Sequence, residues 1–302
     1  EELLFFTDNR NQPRKINVTN SATYYTEESQ LSVAKYNPYE PISLVNKIQT
    51  TGLLTVGGKI IADVPVTAGV KPGMLFLSTT AANVDKIEAT EFLYVISVTG
   101  TNVELNVNPS AGVITTDKLY FLSTTMTGQE ISPFFDGVAM PGNTTWPGDP
   151  DYLESRYVRF SYRFEYDDGE YSIMAPFTQI AYIPKQKGYF LEGNEDEAFR
   201  STVLEFMENG VQNVELLIPL PDTQANLGIE TTSTYKIISI DVLYKEADSL
   251  AVKVLDRVPL NVAQQTSVDN IYKYDYLSAK PYRTLPENQT VRVFVKVPVT
   301  AH

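Results

Sequence analysis

Carboxylates are the residues of this chain best suited to chemistry. Asp167, Asp168 and Glu170 lie close together, and Asp149 and Asp151 flank Pro150. Two carboxyl groups about 5–9 Å apart can hydrolyse a glycosidic bond, one as acid and the other as base or nucleophile. Asp149 and Asp151, in a Pro- and Gly-rich loop, could instead offer oxygen ligands to a calcium ion. The chain has no cysteine, and its single histidine is His302. That excludes thiolate nucleophiles, disulfides and Cys-ligated zinc. It also excludes triads and proton shuttles built on an internal imidazole. Gly57-Gly58 lacks the following Lys-Ser/Thr of a phosphate loop.

The placement of these carboxylates argues for turn chemistry. Asp168-Gly169 fits a two-residue type I′ turn, which puts Tyr166 opposite Tyr171 and Phe164 opposite Ile173. Carboxylates on such a tip keep ordinary pKa values, and no wall excludes water from them. Glu192 to Glu197 reads as a helix cap rather than a site. Trp146, the only tryptophan, sits in a Pro-Gly loop. It could stack on a sugar or peptide, but plugging the loop onto the core is the plainer expectation. Asn17, Asn143 and Asn288 each begin an Asn-x-Thr triplet, a short pattern that recurs by chance. No catalytic, cofactor-binding or metal-binding residue is therefore assigned, and the expectation is that the chain is not an enzyme.

The elements that must position these residues are strands. The chain holds 30 Thr, 29 Val and 19 Tyr, all favoured on pleated surfaces. Leu3 to Phe6, Lys15 to Val18, Leu75 to Leu77, Phe92 to Val98, Val103 to Val107 and Leu119 to Leu122 read as strands. Val158, Phe160, Tyr162, Phe164 and Tyr166 alternate with Arg159, Ser161, Arg163 and Glu165, one apolar and one charged face. Gln179 to Ile183 continues that sheet, and Pro184 ends it. Further alternation runs through Val214 to Leu220, Ile238 to Tyr244, Leu250 to Val254 and Tyr272 to Tyr276. Val291, Val293, Val295, Val297 and Val299 form the most regular run. One helix is expected at about 195–209, with Asn194 as N-cap, Glu197 completing the capping box and Gly210 in the left-handed C′ position.

These patterns predict an all-β protein in three parts. Residues 1–47 supply N-terminal strands and an extended segment packing on the main domain. Residues 48–131 form a small inserted β-barrel module, with Gly57-Gly58 as a hairpin signal. Residues 132–302 form a fibronectin-III-like β-sandwich carrying the inserted helix. Phe-Leu-Ser-Thr-Thr occurs at 76–80 and again at 121–125, which reads as two similar strands of one barrel. The net charge of −13 disfavours nucleic-acid binding, and no run is long and apolar enough for a membrane span. The abrupt start at Glu1 suggests a piece of a longer chain.

Several blocks together suggest a family. Leu4-Phe5-Phe6-Thr7-Asp8-Asn9-Arg10-Asn11-Gln12-Pro13-Arg14-Lys15-Ile16-Asn17-Val18 resembles a segment of the large virion structural proteins of tailed bacteriophages, crAss-like and marine phages above all. The likeness continues at Ser32 to Ile42, Arg159 to Phe164, Asp168 to Ser172, Ala175 to Phe177, Ile240 to Ala247 and Lys280 to Thr290. It does not cover 48–131, which looks like a variable insertion. The resemblance implies a non-enzymatic component of the tail or its nozzle-like extension, and it implies no catalytic residues. The implied partners are copies of itself and other tail proteins, assembled into a ring or tube. The alternative is a tail adhesin or carbohydrate-binding module, with a host-surface glycan as partner.

Overall fold

The computed structural model of the 302-residue chain describes residues 3–11, 13–19, 25–33, 35–54, 58–65, 69–79, 85–86, 93–108, 119–131, 134, 149, 151–186, 207–222, 224–228, 233–261, 270–277, 281 and 283–286. Among these the protein is all-β, with three single-turn helices. β1 (Leu3–Phe6) and β2 (Arg14–Asn17) form a two-stranded ribbon. Its turn is held by Asp8, whose carboxylate accepts the backbone N–H groups of Arg10 (3.0 Å) and Asn11 (2.8 Å). α1 (Glu28–Leu31) follows, then β3 (Ser43–Thr50), β4 (Leu53–Leu54), β5 (Ile60–Ala62), β6 (Leu75–Thr79), β7 (Asp85–Lys86), β8 (Val95–Thr99), β9 (Asn102–Leu105) and β10 (Leu119–Thr124). After α2 (Gly128–Ile131) come β11 (Val158–Tyr166), β12 (Pro184–Gln186), β13 (Met207–Asn209) and β14 (Asn213–Pro219). α3 (Gln224–Leu227), β15 (Ile237–Glu246), β16 (Lys253–Pro259), β17 (Ile271–Tyr276) and β18 (Arg283–Thr284) complete the described chain.

A six-stranded antiparallel sheet runs β17-β14-β3-β10-β6-β7. It takes strands from both sides of residue 132: Ser43 to Lys47 of β3 pair with β14, and β10 pairs with β3 on its other edge. The two Phe-Leu-Ser-Thr-Thr segments lie in β6 and β10, which pair with Phe76 opposite Phe121, ring centroids 5.4 Å apart. A smaller sheet, β4-β5-β9-β8, joins this one at both ends. At one end Val95 and Phe76 donate their N–H groups to Met74 and Leu93 (2.9 Å each), linking β6 to the start of β8. At the other end β4 continues from β3 through Thr51-Gly52. The hydrogen-bonded circuit closes around Ile48, Ile61, Phe76, Val103, Leu119 and Phe121, all 1% exposed or less. Gly52 makes the corner. A Cβ there would lie 2.8 Å from Ile61 Cγ2 and 2.9 Å from Leu119 Cδ1.

The second main sheet runs β11-β15-β16-β18. It faces the first across an aromatic core, where Phe160 of β11 lies 5.2 Å from Tyr276 of β17 and 6.1 Å from Tyr244 of β15. Along its outer side the chain returns as an irregular segment. The N–H groups of Ser172, Ala175, Thr178 and Ala181 donate to the carbonyls of Phe164, Tyr162, Phe160 and Val158 (2.9 Å each). The segment advances three residues for every two on β11, and every third side chain is buried. The carbonyls then fall out of step, and hydroxyls replace them: Phe160 N–H donates to Thr178 Oγ1 (3.0 Å) and Phe164 N–H to Ser172 Oγ (2.9 Å).

Four expectations change. Gln179 to Ile183 is this period-three segment rather than a regular strand, and Pro184 opens β12 instead of ending the sheet. The helix expected over 195–209 does not hold at its end: Met207–Asn209 is β13, paired with β12. Residues 195–206 lie outside the described residues. The reason at 209 is the Asn209 side chain. It donates to the carbonyls of Ala181 (2.8 Å) and Arg156 (3.1 Å) and accepts from Val211 (3.1 Å) and Ile183 (3.2 Å). Those four bonds fix an extended backbone, and Gly210 is not among the glycines of positive φ. The tip of the β11 hairpin is a three-residue loop. Gly169 N–H donates to Tyr166 O (3.0 Å) and Tyr166 N–H to Glu170 O (2.9 Å), and only Gly169 of the loop has positive φ, at 74°. That is a type I turn followed by a left-handed glycine. Register therefore shifts by one, and Tyr171 pairs with Glu165 rather than Tyr166. Lastly, the charged face of β11 is buried in its middle, at Ser161 and Arg163, while Arg159 stays exposed.

Overpacking a filled corner costs about 1–3 kcal/mol. Gly52→Ala should lower stability by about that much, read as a lower denaturation midpoint with an unchanged slope.

Candidate functional site

The one-residue register shift decides what the hairpin carries. It places Tyr171 on the same face as Glu165, Arg163 and Asp241. Arg163, Asp241 and Arg257 lie opposite one another on β11, β15 and β16. Asp241 has no exposure. Its Oδ2 accepts from Arg163 Nε (3.0 Å) and its Oδ1 from Arg257 Nε (2.8 Å). Glu165 balances the second guanidinium at 3.1 Å and accepts from Ser239 Oγ (2.6 Å) and the Tyr171 hydroxyl (3.0 Å). The Tyr171 ring covers the Arg163 guanidinium at 3.9 Å. Burial alone would lower the pKa of Arg257, but Asp241 and Glu165 raise it instead. Two cations and two carboxylates are thus matched within the sheet. Carboxylates held this way anchor the structure of the sheet.

The acidic tip sits at the end of this row, and it is covered. Asp168 bonds Lys15 Nζ of β2 (2.8 Å) and Lys35 Nζ (2.7 Å). Glu170 pairs with Lys15, and Asp167 with Lys35 at 3.5 Å. The side chains of Lys15 and Asp168 are only 4% and 9% exposed. The expected bare tip with ordinary carboxylates is therefore corrected. Burial on its own would raise the pKa of Asp168, but the bonds to Lys15 and Lys35 outweigh it and hold the carboxyl below its usual range. Burial likewise opposes the charge of Lys15, and Asp168 and Glu170 reverse that and push its pKa up.

The N-terminal chain is strapped down by tyrosines as well. Tyr162 donates its hydroxyl to Glu40 O (3.1 Å), Tyr166 donates to Tyr36 O, and Tyr36 packs against Phe164 and Tyr235. Burial pushes the Tyr162 and Tyr166 hydroxyls well above the ordinary tyrosine value, so both stay protonated donors at ordinary pH. What the strap leaves outside is β1. All four of its side chains are exposed, Leu4 by 55% and Phe5 by 60%. Among the described residues β1 pairs only with β2.

The remaining candidates resolve differently. Asp149 Oδ1 accepts the Asp151 N–H (3.2 Å), and both residues are exposed in a turn that buries Leu153. The structure does not bring these two near Asp167, Asp168 or Glu170. No group of three or more metal-ligating side chains occurs among the described residues. Asn17 is buried, with its Oδ1 accepting the Thr19 N–H (3.0 Å), so that triplet serves a turn. Trp146, Asn143 and Asn288 lie outside the described residues. No described helix is long and apolar enough to cross a membrane. A cleft of about 270 Å³ lies between Lys71–Met74, Ser123-Thr124 and Tyr182–Pro184. Sequence reasoning missed Lys15, Lys35 and Asp241, because their partners are set by register and by long-range packing.

Searches for relatives place nothing beside this chain: no family model, curated protein or solved structure matches it.

Two outcomes follow from the geometry. Asp241→Ala leaves two cations facing each other and should cost about 3–5 kcal/mol in chemical denaturation. Adding Leu at 241 together with Arg163→Met should recover much of it, because Arg257 is 35% exposed and can turn to water. The Asp168 contribution is present above the usual aspartate value of 3.8 and is lost as pH falls through its lowered folded value. Limited proteolysis or hydrogen exchange should therefore show β1 and β2 releasing in that acid window. Asp168→Asn should abolish the pH dependence and loosen the ribbon at neutral pH.

Proposed function

We propose that the chain is a non-enzymatic structural component of a bacteriophage virion, situated in the tail. It acts by assembling with copies of itself and neighbouring tail proteins into a ring or tube. The observation that carries this reading is where the phage-like blocks lie. Leu4 to Val18 is the β1–β2 ribbon, and Ser32 to Ile42 holds Lys35 and the tyrosine-bound strap. Arg159 to Phe164 and Asp168 to Ser172 are β11 and its tip, and Ile240 to Ala247 spans most of β15. Blocks scattered through the sequence thus meet as one unit whose lysines, carboxylates and tyrosines bond each other.

The two facing sheets, with their aromatic core, support reading the main body as a fibronectin-III-like sandwich. The paired charges support a packing role rather than a catalytic one. An acidic chain of net charge −13 that still exposes Leu3, Leu4, Phe5 and Phe6 has an apolar surface needing cover. A stable contact of this kind buries about 1,200 Å² or more. Head-to-tail contacts close into rings when the rotation allows.

Electron microscopy of purified particles should place this chain in a cyclic oligomer about the tail axis. A chain present as an isolated copy, outside any ring, would overturn the proposal.

A further inference from the structure

Lys47 and Glu215 form an ion pair that water does not reach. Their side chains are each 2% exposed, and Lys47 Nζ donates to Glu215 Oε1 at 2.5 Å. Both lie on the face of the six-stranded sheet that gathers Val45, Tyr120, Leu122, Phe134 and Leu217. The Tyr120 ring centroid is 5.2 Å from the ammonium. Register makes the pair. Lys47 is opposite Asn213 and Glu215 is opposite Val45, so the two side chains meet along the diagonal between β3 and β14. On its other side Glu215 is opposite Asp275 of β17. Glu215 Oε2 is buried and accepts no hydrogen bond. A buried carboxylate oxygen without a donor is costly, and the ion pair leaves that cost in place.

A neutral lysine amine is a nucleophile, and a protonated carboxyl group offers it an electrophilic carbon. The 2.5 Å bond sets Nζ within about 3–3.7 Å of the Glu215 carboxyl carbon, close to the separation from which attack proceeds. Held there by two paired strands, the groups react as one molecule rather than two, which raises their effective concentration by orders of magnitude. In water such a condensation runs backward, because the ammonium and the carboxylate are both well hydrated. Here that hydration is already lost, and joining the groups removes two buried charges at once. It also removes one of the two carboxyl oxygens, and with it the need to find donors for both.

The geometry points to a self-formed amide cross-link between Lys47 Nζ and the carboxyl carbon of Glu215. One proton crosses the hydrogen bond from Nζ to the carboxylate and leaves a neutral amine beside a neutral acid. The nitrogen lone pair then attacks the carbon. The nitrogen gives up a second proton, and one carboxyl oxygen departs with both protons as water. A C–N bond forms, a C–O bond breaks, and no oxidant or reductant takes part. Asp275, directly opposite Glu215, is placed to carry the second proton from nitrogen to oxygen. The product ties β3 to β14 across 168 positions of sequence. The chain has no cysteine, so no disulfide could do the same. The bond forms within one copy and is independent of what that copy assembles with.

Intact-mass measurement of the purified, unaltered chain should give a value below that of its sequence by one water. Trypsin should leave Lys47 uncut and release a branched peptide joining residues 36–59 to 201–236. A full sequence mass, or cleavage after Lys47, would overturn the proposal. So would a water lost anywhere else in the chain. Lys47→Arg and Glu215→Ala should each restore the full mass. Where neither folds, Lys47→Met combined with Glu215→Leu replaces the pair by apolar groups and should fold at full mass. On denaturing gels the unaltered chain should run ahead of that double variant, because its closed loop keeps it compact; equal mobility would count against the cross-link. Asp275→Asn should fold with an unchanged circular dichroism spectrum yet be purified mostly at full mass. Complete linkage in that variant would overturn the role given to Asp275.

Discussion

Asp241 is a carboxylate with no solvent around it, and Arg163 and Arg257 bond both of its oxygens. Desolvating three such groups is costly unless every hydrogen bond is made. The neighbouring residues complete the set. Glu165 offsets the extra positive charge, Ser239 and Tyr171 bond Glu165, and Tyr171 lies flat on Arg163. Moving any of the three strands β11, β15 and β16 by one residue would turn these groups into the apolar core on the other face. The row therefore fixes the register of β11, β15 and β16. Through Tyr171 it also fixes the loop that presents Asp168 to Lys15 and Lys35. A second buried pair, Lys47 with Glu215 at 2.5 Å, plays a comparable part between β3 and β14 of the other sheet.

Much of the strand content was legible because it depends on alternation, a local property. β1, β11, β15 and β17 fall close to where the apolar periodicity puts them. The repeated pentapeptide was legible too, as two similar strands, though not their pairing with each other. What could not be read was whatever depended on the partner. Asp168-Gly169 suits both a two-residue and a three-residue loop, and the choice is made by the charge row, which no window around the turn contains. The alternation of β11 marked one face as charged but did not show that Arg163 and Glu165 on it are paired within the sheet. Here the residues that bury them lie 78 and 92 positions away. Met207–Asn209 carries good helix-ending residues, yet the four bonds of Asn209 to distant backbone override that preference. The tip acids showed no sign of Lys15 or Lys35 for the same reason.

The proposed role follows from how these constraints divide the molecule. The sandwich face is rigid, with rings and ion pairs in fixed register. The N-terminal ribbon is fastened to it by two lysines and a strap of tyrosine hydroxyls. That fastening holds an apolar strand out from an acidic body without burying it. Among the described residues the ribbon is thus supported on one side and unpaired along the other edge of β1.

The period-three segment along β11 bears on what the sheet cannot do. Sheets with open edges risk indiscriminate stacking, chain upon chain, into insoluble fibrils. Here the flank beside β11 is taken by backbone that advances three residues to the sheet's two, and Pro176 within it has no N–H to give. An approaching strand would meet donors and acceptors at the wrong spacing and lose step almost at once. The same residues that complete β11 thus make that flank a poor template for misassembly.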